Sequence, residues 1–226
     1  MDARPRIKDH VVEVMSAADI TPWYRRVTVD PKGLFETYDP APGAYLLLAV
    51  PTLDGSGTAQ RMYTLHDITD TSFSFEFVLH EPAGPGCHFA QTAQPGDTVA
   101  VSEPPYHVVV PEVTHALFIA DTTAIPAISS FLGSLSPDMA TTVILEDGHP
   151  DHDLIPLKTR ENTRLTWVDA LTEAILDQAS ADLDPNNCFL WAGGERHIAK
   201  MVKEYARDRF VVPRENQHIQ TYWIAS

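Results

Sequence analysis

The sequence predicts two domains built on different rules. The first is an antiparallel all-β domain, a barrel or a sandwich; the second is an α/β domain with a parallel sheet. The boundary falls near Pro111–Glu112, giving domains over residues 1–112 and 113–226. Three observations carry this reading. Up to about Val110 the chain runs in short apolar-alternating stretches cut by turn residues, the mark of an antiparallel sheet with one buried face. From Thr114 the apolar stretches become continuous and alternate with helix-length segments, the mark of a parallel sheet covered on both faces. Finally, 226 residues at 44% hydrophobic and 21% charged supply enough apolar material for a core.

In the first half the predicted strands are residues 11–15, 23–29, 44–50, 60–66, 72–79 and 98–102. Asp30-Pro31-Lys32-Gly33, Asp39 to Gly43, Asp54 to Gly57 and Gln94 to Asp97 punctuate them, because Gly, Pro and Asp supply the turn conformations that strands cannot. A short helix is expected to open at Gly84-Pro85-Gly86-Cys87 and end near Thr92. In the second half strands are predicted over 116–120, 142–145, 164–168 and 188–192, and helices over 124–135, 170–179 and 195–210. Pro126 fits the first turn of its helix, where its missing N–H costs nothing.

Charge and cysteine content narrow the function. Lys and Arg number 16 against 31 Asp and Glu, a net of −15, which excludes a nucleic-acid binder. Cys87 and Cys188 make no disulfide framework. No apolar run reaches the ~18 residues of a membrane span, and none follows Arg4, Arg6 and Lys8 as a leader would, so a cytoplasmic location is expected. His149 and His152 bracket Pro150-Asp151 without the spacing of a metal motif, so no metal site is expected. There is no Gly-x-Ser-x-Gly elbow for a serine hydrolase.

Several segments fit an anionic ligand as well as plainer roles. Gly193-Gly194 follows the fourth apolar run and precedes a helix, where glycine admits a phosphate and also makes a tight turn. Asp121-Thr122-Thr123-Ala124 occupies the same kind of place after the first run, where Asp and Thr cap helices. Arg61-Met62-Tyr63-Thr64 sets a guanidinium, an aromatic face and a hydroxyl close together, which suits a ligand with a phosphate and a planar ring. Its companion is the run from Phe77 to His80 that leads into Gly84 to Ala90, a loop of backbone amides before a helix. Arg196, Lys200, Lys203 and Arg207 recur at i, i+4, i+7 and i+11 and form one basic stripe opposite Ile198, Met201, Val202 and Tyr205. That stripe is either a solvated helix face or ground for an anionic ligand.

The order and spacing of these pieces resemble the siderophore-interacting protein family, ferric-siderophore reductases related to the ferredoxin reductase superfamily. The matching text is Arg61-x-Tyr63-Thr64, Phe77 to His80, Gly84-Pro85, Pro95-Gly96-Asp97, Asp121-x-Thr123-Ala124-x-Pro126-Ala127-Ile128, Trp191 to Glu195 and Tyr222-Trp223. The resemblance implies a flavin-binding β-barrel followed by a Rossmann-like nicotinamide domain, with FAD held non-covalently. In that scheme Arg61 pairs with phosphate, Tyr63 packs on the flavin ring and Thr64 hydrogen-bonds near the reactive nitrogen, so Tyr63 and Thr64 are the catalytic candidates. His80, Gly84, Pro85, Gly86 and Cys87 line the pyrophosphate loop. Asp121, Thr122, Thr123, Ala124, Gly193, Gly194 and Glu195 belong to the nucleotide side, and Arg196, Lys200, Lys203 and Arg207 are candidates for the anionic substrate. Cys87, Phe89 and Thr122 depart from the family's usual small hydroxyl residue, Trp and Glu. The resemblance further implies that electrons would pass from NADH, NADPH or a ferredoxin through FAD to the ferric siderophore, and a monomer or weak dimer is expected. A general flavin reductase with a protein or quinone acceptor and a non-catalytic flavin- or siderophore-binding module are the alternatives. Glu146-Asp147, ending the second run, suits the ribose hydroxyls of NADH.

Overall fold

The computed structural model describes residues 6–104 and 108–225. The chain divides into two compact units, residues 1–107 and 108–226.

The first unit is a six-stranded antiparallel sheet of β1 (His10–Thr21), β2 (Tyr24–Asp30), β3 (Tyr45–Pro51), β4 (Thr58–Thr64), β5 (Phe73–Val78) and β6 (Thr98–Ser102), with helix α1 (Pro85–Thr92) between the last two. The spatial order is β4-β3-β6-β1-β2-β5. Val12, Val14, Val27, Val29, Leu46, Leu48, Phe73, Phe75 and Phe77 point to one side and form a core that α1 caps with Phe89 and Ala90. The expected barrel is, among the described residues, an antiparallel sheet whose two edges meet at one isolated bridge, between the chain just past β4 and the start of β5. His66 and Ser74 exchange both backbone hydrogen bonds, at 2.9 and 2.7 Å. The ladder goes no further because Asp67, at φ +47°, turns the chain away immediately afterwards.

Beside that seam lies a buried polar network that strand alternation alone did not reveal. Glu76 accepts from Tyr24 Oη at 2.6 Å and from Arg26 Nε at 2.9 Å, and Arg26 reaches Asp67 at 3.0 Å. Arg26 and Glu76 are direct partners across β2 and β5, so the register, not the local sequence, pairs them.

The second unit is a five-stranded parallel sheet in the order β11-β10-β7-β8-β9. Its strands are β7 (His115–Asp121), β8 (Ala140–Glu146), β9 (Thr163–Val168), β10 (Cys188–Glu195) and β11 (Gln217–Trp223). Successive residues of β7 and β10 serve opposite faces. Leu117, Ile119, Leu190 and Ala192 pack with Leu176 of α3 (Glu173–Ser180) and with Ile198, Val202 and Tyr205 of α4 (Arg196–Asp208). Phe118, Phe189 and Trp191 meet Phe131 of α2 (Ile125–Ser134) at ring separations of 5.7–6.2 Å. Burial on both faces is why these strands read as unbroken apolar runs.

Two expectations need correction. Gly193 and Gly194 do not follow the fourth strand of this unit but lie inside β10, paired to β11 on one side, with Gly193 also paired to Ala120 of β7. Strand β11 lies outside the predicted strands, because Gln217, His218, Gln220 and Thr221 put polar residues on both faces of an edge strand and leave no apolar run. Among the described residues no helix is long and apolar enough to cross a membrane.

Candidate functional site

In the first unit, β4 and the start of α1 bring most of the candidate flavin residues into one cluster. Tyr63 is half-buried with its ring tilted against Phe77, centroids 4.2 Å apart. Its hydroxyl lies so close to Gly86 that a Cβ on that residue would stand 2.2 Å from Tyr63 Oη. Only glycine leaves room there. Burial pushes the Tyr63 phenol well above its ordinary value, with Cys87 adding to the shift and Arg61 opposing it. The ring is thus a neutral, fixed aromatic surface at physiological pH.

Cys87, in the first turn of α1, is buried and links back to the end of β5. Its Sγ accepts from the His80 amide at 3.4 Å and donates to the His80 carbonyl at 3.6 Å. The imidazole of His80 reaches to 4.0 Å from where a Cβ on Gly84 would stand. The loop from His80 to Gly86 is therefore closed at both ends. Gly84 is the N-cap of α1 and offers no side-chain cap, Pro85 occupies the first turn, and no acidic residue stands there. The first-turn amides of α1 keep their affinity for an anion.

Arg61 lies two residues before Tyr63 on the same face of β4, where both pair with the core residues Leu48 and Leu46 of β3. It is exposed, and its guanidinium donates to the Gln60 carbonyl at 2.8 Å, with the remaining donors available to a ligand. Thr64 closes the strand, buried beside Tyr45. An uncapped helix start, a glycine at 86 where a side chain would intrude, a cation and a rigid aromatic ring fit a ligand with a pyrophosphate and a flat ring system.

In the second unit the candidates gather at the carboxyl ends of the parallel strands, with a different outcome. The Asp121 carboxylate is saturated by the chain itself. One oxygen accepts from the Thr123 amide at 2.9 Å and from the Thr123 hydroxyl; the other accepts from the Glu195 amide at 2.7 Å and Trp223 Nε1 at 2.9 Å. Burial raises its pKa despite these four donors. Gly194, at φ +140°, lies against it, and a Cβ there would come within 2.6 Å of Asp121 Oδ2. A Cβ on Gly193 would strike the Trp191 ring at 2.6 Å. Both glycines serve this packing. Thr122 and Ala124 are buried, and Thr123 alone of that segment is partly exposed.

Glu195 caps α4 and also holds the segment at Ala225. Its Oε1 accepts from the Ala225 amide at 3.0 Å, and its Oε2 accepts from the amide and, at 2.5 Å, from Nδ1 of His197. The other ring nitrogen of His197 contacts Glu146 Oε1, at the end of β8, at 2.9 Å. Glu146 Oε2 accepts from the Leu171 amide at 2.6 Å. Burial of Glu195 opposes its ionisation, but the Ala225 and His197 donors outweigh that and hold its carboxyl down at about 2. For His197 partial burial opposes protonation, yet Glu146 and Glu195 together raise its pKa. Reasoning from sequence missed His197, because an isolated histidine in a helix has no local signature; its meaning comes from two carboxylates, one of them 51 residues away.

The basic stripe is real as a surface: Arg196, Lys200, Lys203 and Arg207 are exposed, and Ile198, Val202 and Tyr205 are buried. Arg207 is engaged by Asp208 at 2.5 Å. Asp147, next to Glu146, accepts from His149 Nδ1 at 2.6 Å, and His152 stacks on Trp167 at 4.3 Å.

The pair of units, an antiparallel β unit and a parallel α/β unit, is the fold of ferredoxin reductase-like proteins. The model of the siderophore-interacting protein family matches residues 113–226, and that of the siderophore-interacting FAD-binding domain matches residues 52–108. The chain belongs to the siderophore-interacting protein family. It is 33% identical, over 96% of its length, to the mycobactin import ATP-binding/permease protein IrtA of Mycobacterium tuberculosis, of which it spans only 26%. It is 27% identical, over 76% of its length, to the NADPH-dependent ferric-chelate reductase of Escherichia coli, covering 69% of that protein. The crystal structure of the siderophore-interacting protein SipS from Aeromonas hydrophila superposes with a TM-score of 0.82 at 22% identity, covering 96% of this chain and 92% of that one.

Proposed function

We propose that this chain is a flavin-dependent ferric-siderophore reductase, with FAD seated on the first unit and NADH or NADPH delivering electrons at the second. The observation that carries the reading is the α1 start, where the first-turn amides follow an N-cap, Gly84, that has no side-chain cap, and Gly86 lies against the Tyr63 hydroxyl, on a β unit that matches an FAD-binding domain. Bound FAD would supply the link between a two-electron nicotinamide donor and one-electron reduction of ferric iron. The chain's own part is binding and orientation. Arg61 and the α1 amides hold phosphate, Tyr63 offers a neutral ring face, and Thr64 supplies a buried hydroxyl at the end of the same strand. Iron leaves its chelator on reduction because Fe(II) is held less tightly than Fe(III) by hard oxygen ligands. The relative from E. coli, named as an NADPH-dependent ferric-chelate reductase, supports substrate class and donor class alike.

A protein donor such as ferredoxin is a second reading. The exposed stripe of Arg196, Lys200 and Lys203, set in a chain of net charge −15, favours it. The same stripe also suits an anionic siderophore. The deciding experiment is anaerobic: the protein reconstituted with FAD should bleach with NADH or NADPH and regain its yellow colour when a ferric siderophore is added. A protein that takes up no FAD would overturn the proposal, and one bleached only by reduced ferredoxin would favour the second reading.

A further inference from the structure

The carboxyl edge of the parallel sheet, where an open α/β sheet receives its ligand, is crowded with acid in this chain. Asp121 ends β7, Glu146 ends β8 with Asp147 beside it, and Glu195 ends β10. Residues 112–195 hold 14 acidic and 3 basic side chains. A nicotinamide dinucleotide brings a pyrophosphate, so its approach to that edge meets like charge unless some group neutralises it. Asp121 lies buried beneath four donors, and Asp147 faces His149. Glu146 and Glu195 share one partner.

That partner is His197, in the first turn of α4. Both of its ring nitrogens face carboxylate oxygens, Nδ1 toward Glu195 at 2.5 Å and Nε2 toward Glu146 at 2.9 Å. A neutral imidazole has one N–H and would set a lone pair against the second carboxylate; only the imidazolium satisfies both. The groups facing the ring from the packed elements are Glu146 of β8 and Glu195 of β10, and on its own helix Arg196 precedes it and Lys200 stands three residues on. The side chain is 49% exposed, so the cation is open to a ligand as well as to its two carboxylates.

We propose that His197 is the positioning residue that lets this acidic edge accept an anionic dinucleotide: as an imidazolium it bridges Glu146 and Glu195, halves their combined charge and fixes the first turn of α4. This rests on the nicotinamide reading above and deepens it. Dinucleotide affinity then depends on pH through His197, being strong where the ring is charged and weaker once it loses its proton.

The test uses the full chain loaded with FAD and the non-reacting dinucleotides NAD⁺ and NADP⁺, titrated calorimetrically at pH 6 and pH 9. Loss of one positive charge at a half-exposed site should weaken binding by about fivefold. The wild type should show that loss between the two pH values. His197→Gln should be weak at both, and His197→Arg, a permanent cation, should be tight at both. Ring resonances of His197 in the FAD-free chain should titrate above the ordinary histidine range. Binding by His197→Gln that matches the wild type at pH 6, or a ring that titrates within or below that range, overturns the inference and leaves the nicotinamide reading intact. A wild type that binds neither dinucleotide at either pH overturns both.

Discussion

The contact between Gly86 and Tyr63 yields the sharpest prediction. A methyl at position 86 would stand 2.2 Å from Tyr63 Oη but 3.2 Å from Cζ and 3.4 Å from Cε2. The clash is therefore almost entirely with one oxygen. The ring has little freedom to withdraw, since Phe77 lies 4.2 Å away on one side and Phe75 meets it edge-on at 6.5 Å. Overpacking of this kind costs about 1–3 kcal/mol. For a unit of roughly a hundred residues that is a fall in melting temperature of about 5–15 °C. Removing the oxygen instead of the methyl should relieve it: in a Tyr63→Phe background the nearest ring carbon is at 3.2 Å, a contact that a small tilt accommodates. The assay is a double-mutant cycle on the FAD-free chain, following thermal unfolding of the first unit in Gly86→Ala, Tyr63→Phe and the double variant. Gly86→Ala should cost at least 1 kcal/mol more in the wild type than in the Tyr63→Phe background, as rough overpacking magnitudes imply. Equal costs in both backgrounds, or a neutral Gly86→Ala, would refute the reasoning that Tyr63 is locked over the start of α1.

Further outcomes follow from the same geometry. Arg61→Ala should lower FAD occupancy of the purified protein while leaving its melting temperature within about 1 °C, since exposed side chains away from special features change stability little; occupancy is read from the ratio of visible to ultraviolet absorbance. Trp223→Phe strips one donor from the buried Asp121 carboxylate and should destabilise the second unit by about 1–3 kcal/mol, measured by urea unfolding. Gly194→Ala should do at least as much harm, because it combines φ +140° with a 2.6 Å approach to Asp121 Oδ2; its soluble yield should collapse relative to Gly133→Ala, where a Cβ meets nothing within 4 Å. Acid stability should follow Glu195. Its carboxyl is held down from an ordinary 4.5 to about 2, so its contribution is complete above about 4.5 and is lost as pH falls toward 2. Glu195→Gln should flatten that part of the stability profile.

What the sequence shows and what it hides divide along physical lines. The runs that became β2, β3, β5, β7 and β10 were legible because each buries alternate or consecutive apolar residues, a local property. The cluster of Tyr63, His80, Gly84, Gly86 and Cys87 was legible as two separate segments, and the structure supplies what neither segment contains, the meeting of β4 with α1. Asp121 and the Gly193–Gly194 pair looked like ligand positions because a strand end before a helix start is where ligands bind. The structure adds a knot with Trp191 and Trp223, in which glycine is required at 193 by the Trp191 ring and at 194 by the Asp121 carboxylate. The Arg26–Glu76 pair and the Glu146–His197–Glu195 bridge were invisible for one reason: each joins residues about fifty positions apart, and only the register of the sheet brings them together.

The distribution of charge connects these findings. An acidic chain that handles anionic ligands must keep its carboxylates from repelling them, and this one does so in three ways. At Asp121 the carboxylate is buried under four donors of the chain itself. In the first turn of α1 no acid is present, and Arg61 on β4 adds a positive charge to the same unit. At the edge between β8 and α4, two carboxylates are bridged by one histidine, whose charge depends on pH. The first two arrangements are permanent and the third is reversible. The flavin seat should therefore hold its ligand across the neutral range, whereas the dinucleotide edge should weaken as the pH rises. Parallel titrations of FAD and NADP⁺ affinity between pH 6 and pH 9 separate the two, and equal slopes for both ligands would contradict this division.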